Sequence, residues 1–136
     1  VRRLSKLEIP YRETKQQPIY SETFYKWRDE IEEQHLRKVF DRYFWDVLGA
    51  LTRLQEKVHS HLCLFVGRAT VRGRQIPIDQ IFAEHFTSLG WVHEITLVDT
   101  IVARRMFSYG INPETGIKDD RTQTENLVIL RRKFLR

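Results

Sequence analysis

Apolar residues fall into distinct rhythms along this chain, and the rhythms predict its elements. Residues 1–20 carry Pro10, Pro18 and the pair Gln16-Gln17 with no sustained period, which reads as an extended connector. At Ser21, a residue type suited to capping a helix start, the pattern turns helical, and Phe24, Trp27 and Ile31 mark one face. Leu36, Val39, Phe40, Tyr43, Phe44, Val47, Leu48, Leu51, Leu54 and Val58 then recur at spacings of three and four. Arg37, Lys38, Asp41, Arg42, Arg53 and Glu56 fill the opposite side. Positions so spaced share one helix face, which predicts a long amphipathic helix laid against a sheet or other helices.

His59-Ser60-His61 breaks that period, and Leu62-Cys63-Leu64-Phe65-Val66 follows as a short unbroken apolar run ended by Gly67. Such a run behind a long helix predicts a central parallel strand buried on both faces, with Cys63 as a buried thiol. Arg68 to Gln75 reads as a polar loop around Gly73. Ile76-Pro77-Ile78-Asp79 opens a second helix with Asp79 available to cap it. Its apolar stripe is Ile81, Phe82, His85, Phe86 and Leu89, and Gly90 supplies a left-handed stop. Val92 to Val102 is rich in β-branched residues without proline or glycine, so it reads as a long strand. Residues 106–124 hold Gly110, Asn112, Pro113, Gly116, Asp119 and Asp120 and read as a long loop. Leu127-Val128-Ile129-Leu130 forms the last strand, before Arg131-Arg132-Lys133.

The order helix, strand, helix, strand, loop, strand predicts an α/β layer whose last two strands pair antiparallel as a hairpin. An open sheet that starts with a helix has lost its first strands, and the chain starts at Val1 in a basic stretch. The expectation is a piece of a longer protein: a connector over 1–20 and the C-terminal part of a domain over 21–136. A truncated sheet of this kind offers an apolar edge to the missing N-terminal half or to a second chain, so self-association is expected.

Composition narrows the classes. With 136 residues, 41% hydrophobic and 12% aromatic, the chain can bury one core and is not disordered by composition. No apolar run approaches the roughly 18 residues of a membrane span, and the start does not resemble a secretion signal. A lone cysteine cannot form an internal disulfide, so a cytoplasmic setting is the default. The net charge of +5 suits a polyanion partner only where cations cluster. Arg68, Arg72 and Arg74 cluster just after the carboxyl end of the apolar strand, where open α/β sheets bind ligands and where guanidinium forks suit phosphate oxygens. The competing reading is a solvated turn whose arginines neutralise nearby acids. His59-x-His61 has no third ligand beside it, so no metal site is expected. His85 reads as a core histidine, and Glu30, Glu32 and Glu33 as a solvated helix face. No Ser-His-Asp or Cys-His arrangement stands out.

Several strings together resemble the site-specific DNA methyltransferases that methylate exocyclic amines. They are Arg37 to Phe44, then Leu64-Phe65-Val66-Gly67, Thr70-Val71-Arg72-Gly73, Ile76-Pro77-Ile78-Asp79, Leu89-Gly90-Trp91, Ile101-Val102-Ala103-Arg104-Arg105-Met106 and Glu125 to Arg131. The resemblance spans residues 34–133; RNA methyltransferases share much of it. It implies a partial Rossmann-like sheet, the second half of the class I methyltransferase fold. It also implies S-adenosylmethionine as donor in the complete protein, and DNA as substrate, as in restriction–modification. Arg104, Arg105, Met106 and Phe107 would lie beside the target base, arginines on the backbone and Met106 and Phe107 against a displaced base. The alternative is a hairpin end with core-facing Met106 and Phe107. The chain departs from the family in three places. It lacks the Asp, Asn or Ser followed by Pro-Pro and an aromatic; it has no Gly-x-Gly; and Arg68 stands where Asn or Asp is usual. No catalytic or donor-binding residue is therefore expected here. Two other readings stay open: a non-catalytic nucleic-acid-binding module, and an interaction domain docking through the aromatic helix.

Overall fold

The computed structural model describes residues 17–100 and 124–133. Ser21 caps α1 (Glu22–Glu30), its hydroxyl accepting from the Phe24 amide at 3.0 Å. After the extended residue Ile31 the chain re-enters helix as α2 (Gln34–Leu54), followed by one 3₁₀ turn over Gln55–Lys57. Phe40, Phe44 and Leu48 recur every fourth residue on α2 and bury one stripe. Phe24 of α1 stacks on Phe40 at 5.3 Å and meets Phe44 and Trp45 edge-on, so an aromatic cluster joins the two helices. Arg28 reaches Asp41 at 2.7 Å across the crossing; that hydrogen bond holds the guanidinium pKa above its ordinary value. Arg37 donates twice to the Ile31 carbonyl, at 3.0 and 2.7 Å, and fixes the corner between them.

Strand β1 (His61–Gly67) follows, then β2 (Ala69–Val71), β3 (Arg74–Ile76), α3 (Ile78–Ser88), β4 (Trp91–Thr100) and β5 (Thr124–Arg132). The main sheet runs in the order β1-β5-β4, and β2 and β3 form a separate hairpin. β5 is antiparallel to both neighbours, pairing Leu62 with Leu130 on one side and Leu97 with Leu127 on the other. β1 and β4 therefore run parallel without touching, and α3 is the crossover between them. The expected antiparallel pairing of the last two strands is present; the long loop expected between them lies outside the described residues.

The expectation of a central, doubly buried β1 is corrected. Among the described residues β1 is an edge strand whose partner is antiparallel, and its burial alternates. Leu62 and Val66 face the helices, whereas Cys63 is exposed and Phe65 is 71% exposed. An unbroken apolar run does not reveal whether both sheet faces are covered. Here one face meets helices; the other presents Phe65, Ile95 and Leu97. Two smaller expectations also change. The polar loop over Arg68 to Gln75 contains the β2–β3 hairpin, and Asp79 lies inside the first turn of α3, where no side chain caps the helix. Gly90, with φ +92°, does end that helical stretch in a positive-φ conformation.

The end of the expected connector is strapped to α3. Ile19 is buried, and the Tyr20 amide donates to His85 Nδ1 at 3.0 Å. Because Nδ1 accepts, the ring proton is assigned to Nε2, which faces Thr52 Oγ1 at 2.9 Å; that hydroxyl donates onward to the Leu48 carbonyl at 2.6 Å. Next to it, Glu84 accepts from Ser21 Oγ (2.5 Å), Thr23 Oγ1 (2.6 Å), the Thr23 amide (3.2 Å) and Gln80 (3.3 Å). Burial pushes that carboxyl up, but these hydrogen bonds outweigh it and leave its pKa below the ordinary value. At the other end of the sheet, Arg132 donates to the Gln55 carbonyl at 3.1 Å and to that of Val58, beneath the Trp91 ring. A half-buried arginine thus closes the corner where α2 turns into β1.

Candidate nucleic-acid interface

At Gly67 the chain leaves β1 and immediately forms the β2–β3 hairpin. Val71 pairs with Arg74, so only Arg72 and Gly73 span the turn, with φ of 51° and 74°. Two successive positive φ values define a type I′ turn, whose twist matches the flanking strands. Glycine adopts this conformation freely; arginine seldom does. The tip thereby presents Arg72 and Arg74 on either side of a residue without a side chain.

Neither guanidinium points into open solvent alone. Arg72 pairs with Glu33, and Arg74 Nη1 meets Glu30 Oε2 at 2.6 Å. Arg74 also lies over the Trp27 ring, 4.5 Å from its centroid. The arginine side chains remain 67% and 58% exposed. Arg68, half-buried at the base of the hairpin, donates from Nη1 to Gln75 Oε1 at 3.2 Å. The three arginines named from sequence therefore share one hairpin. Arg104, Arg105, Met106 and Phe107 lie outside the described residues.

Beneath the hairpin is a recess of about 500 Å³ between α2 and the end of β1. Leu36, Val39, Phe40, Tyr43 and Phe44 form one wall, Val71, Ile76 and Ile78 the other, and Arg68 is the charged residue in the lining. Burial pushes the Tyr43 phenol pKa up, so its hydroxyl keeps its proton. This lining does not suit S-adenosylmethionine. A sulfonium, an ammonium and ribose hydroxyls call for carboxylates, and among the described residues none lines the recess.

Comparison with family models, curated proteins and solved structures finds no match to this chain. What the site can do chemically therefore rests on its own groups. His85 is a core histidine, 1% exposed, bound on both ring nitrogens as described. His61 lies 3.6 Å from Glu94 and 2.6 Å from Ser60 Oγ, and no three metal-binding side chains converge among the described residues. From sequence, Glu30, Glu33 and Trp27 read only as helix-face residues; their pairing with Arg72 and Arg74 matches the competing reading, in which the turn's arginines neutralise nearby acids. Glu30 and Glu33 resemble any solvated acids, and the arginines they meet stand about forty positions away, so no periodicity connects them.

Proposed function

We propose that this chain is the C-terminal part of an S-adenosylmethionine-dependent DNA methyltransferase that modifies an exocyclic amine of adenine or cytosine. The observation that carries the reading is the order of elements around one sheet. A long helix leads into β1, a second helix leads into β4, and an antiparallel strand closes beside it. That is the order the resemblance implies for the strings from Arg37 to Phe44, Leu64 to Gly73, Ile76 to Asp79 and Glu125 to Arg131; the string Ile101 to Met106 lies outside the described residues. In this reading donor binding and chemistry belong to groups that the chain does not carry. Its own contribution is the Arg68–Arg74 hairpin, a set of cations set beside the sheet's carboxyl edge to meet a phosphate backbone.

The test extends the reading frame upstream of Val1 and assays the extended product for methyl transfer to duplex DNA. A Pro-Pro-aromatic string behind a strand, with transfer to an exocyclic amine, supports the reading. An extended product without that string and without transfer refutes it. A second reading draws on the sheet face where, among the described residues, Phe65, Ile95 and Leu97 are exposed. It is an interaction module that docks another protein, and it predicts no DNA binding dependent on the hairpin.

A further inference from the structure

We infer that Glu30 and Glu33 hold the arginine hairpin in a self-inhibited state that a nucleic-acid backbone must open. The inference rests on the proposed role of that hairpin and adds a regulatory contact to it. Arg72 lies in the two-residue turn and Arg74 opens β3 behind it, and each meets one carboxylate. Both acids belong to one rigid corner: Glu30 is the last residue of α1, and Glu33 directly precedes α2. The corner is fixed by Arg37 on the Ile31 carbonyl and by the Arg28–Asp41 pair. The backbone that carries both acids is thus fixed by contacts that do not involve the hairpin. A carboxylate and a phosphate offer a guanidinium the same forked pair of oxygens. Phosphate binding at Arg72 and Arg74 therefore competes directly with Glu33 and Glu30, and the acids also repel an approaching polyanion.

The competition is weak enough to be overcome. The arginine of each pair is largely exposed and its acid partly so, and such pairs are screened by salt. The need to release both lowers DNA affinity by about two- to thirtyfold, the combined effect of two surface pairs. Arg74 keeps its place on Trp27 when Glu30 lets go, so the open state retains an ordered cation.

The experiment measures fluorescence anisotropy of a labelled duplex at several salt concentrations. It uses the intact chain, Glu30→Gln/Glu33→Gln, Arg72→Ala/Arg74→Ala, the combination of all four, and Glu22→Gln/Glu32→Gln as a charge-matched control. All these side chains are on the surface, and circular dichroism checks the fold. Self-inhibition predicts that Glu30→Gln/Glu33→Gln tightens binding about two- to thirtyfold. The control should gain distinctly less, and the gain should vanish when Arg72 and Arg74 are absent. Equal gains from both pairs of acids, or a gain that survives loss of the arginines, shows a net-charge effect and overturns the inference. If the arginine variant binds less tightly while the Glu30/Glu33 variant is unchanged, self-inhibition falls and the hairpin's role stands. If loss of the arginines changes neither affinity nor salt dependence, the hairpin's role falls and self-inhibition falls with it.

Discussion

Acidification should destabilise this protein through one identifiable side chain, His85. Its ring is buried between α2, α3 and the entering segment, with Nδ1 accepting the Tyr20 amide and Nε2 facing Thr52. A second proton would have to sit on Nδ1 and face an N–H that already points at it. Burial lowers the imidazole pKa from 6.5 to about 4. The unfolded chain takes up this proton near pH 6.5 and the folded chain only near pH 4. Between those values protons favour the unfolded state, so stability is full above the window and falls as pH drops through it. The linkage amounts to about 2 kcal/mol by pH 5 and about 3 kcal/mol at the bottom of the window. Glu84 adds to the loss at lower pH, because its depressed pKa means that acid must protonate a hydrogen-bonded carboxylate. Tyr20, whose ring stacks on His85 at 5.7 Å, Phe86 and Thr52 bring no charge against the imidazole; Glu84 is its acidic neighbour in sequence, turned toward Ser21 and Thr23. Urea unfolding at pH 7.5 and 5.0 checks the sign and size: with a slope of about 1–3 kcal/mol per molar, the midpoint should fall by roughly 0.7–2 M. His85→Gln should be less stable at neutral pH yet show a much smaller shift between the two conditions. Contributions common to both proteins cancel from the difference. An equal pH dependence in the two proteins, or an NMR titration placing the His85 pKa near 6.5, would refute the reasoning.

Three further outcomes follow from the same structure. Gly73→Ala should cost about 1–2 kcal/mol in thermal unfolding although an added Cβ meets nothing within 4 Å, because the cost is its φ of +74°; Gly73→Asn should cost clearly less, and equal losses would deny the backbone origin. Asn126 is fully buried between Val66 and Val98, and neither side-chain polar atom has a hydrogen-bond partner among the described residues. Asn126→Val should therefore raise stability by about 1–2 kcal/mol, and a lower melting temperature would show that the amide is satisfied after all. Phe65→Lys should change stability by less than about 0.5 kcal/mol while reducing self-association in sedimentation runs, because among the described residues β1 is an edge strand whose outer face exposes Cys63 and Phe65; unchanged association would place the contact elsewhere.

Period and punctuation were sufficient to read most elements from the sequence. Ser21 marks the start of α1, the three- and four-residue spacing from Leu36 onward marks α2, and Gly90 marks the end of the third helix, because helix signals lie within a few residues of one another. The antiparallel closure of β4 and β5 was legible for a similar reason: two strand-like stretches lacked a helix between them. The clustering of Arg68, Arg72 and Arg74 was visible too, since seven consecutive positions contain all three. Neighbours across the fold were not visible. That β5 lies between β1 and β4, leaving β1 at an edge with Cys63 and Phe65 exposed, depends on strand order, which an apolar run does not encode. The type I′ turn was hidden because arginine replaces the usual asparagine or glycine at its first position. The pairing of Arg72 and Arg74 with Glu33 and Glu30 was hidden for a related reason. Charge attraction acts through space, and only the packing of α1 against α2 and the hairpin brings these groups within reach.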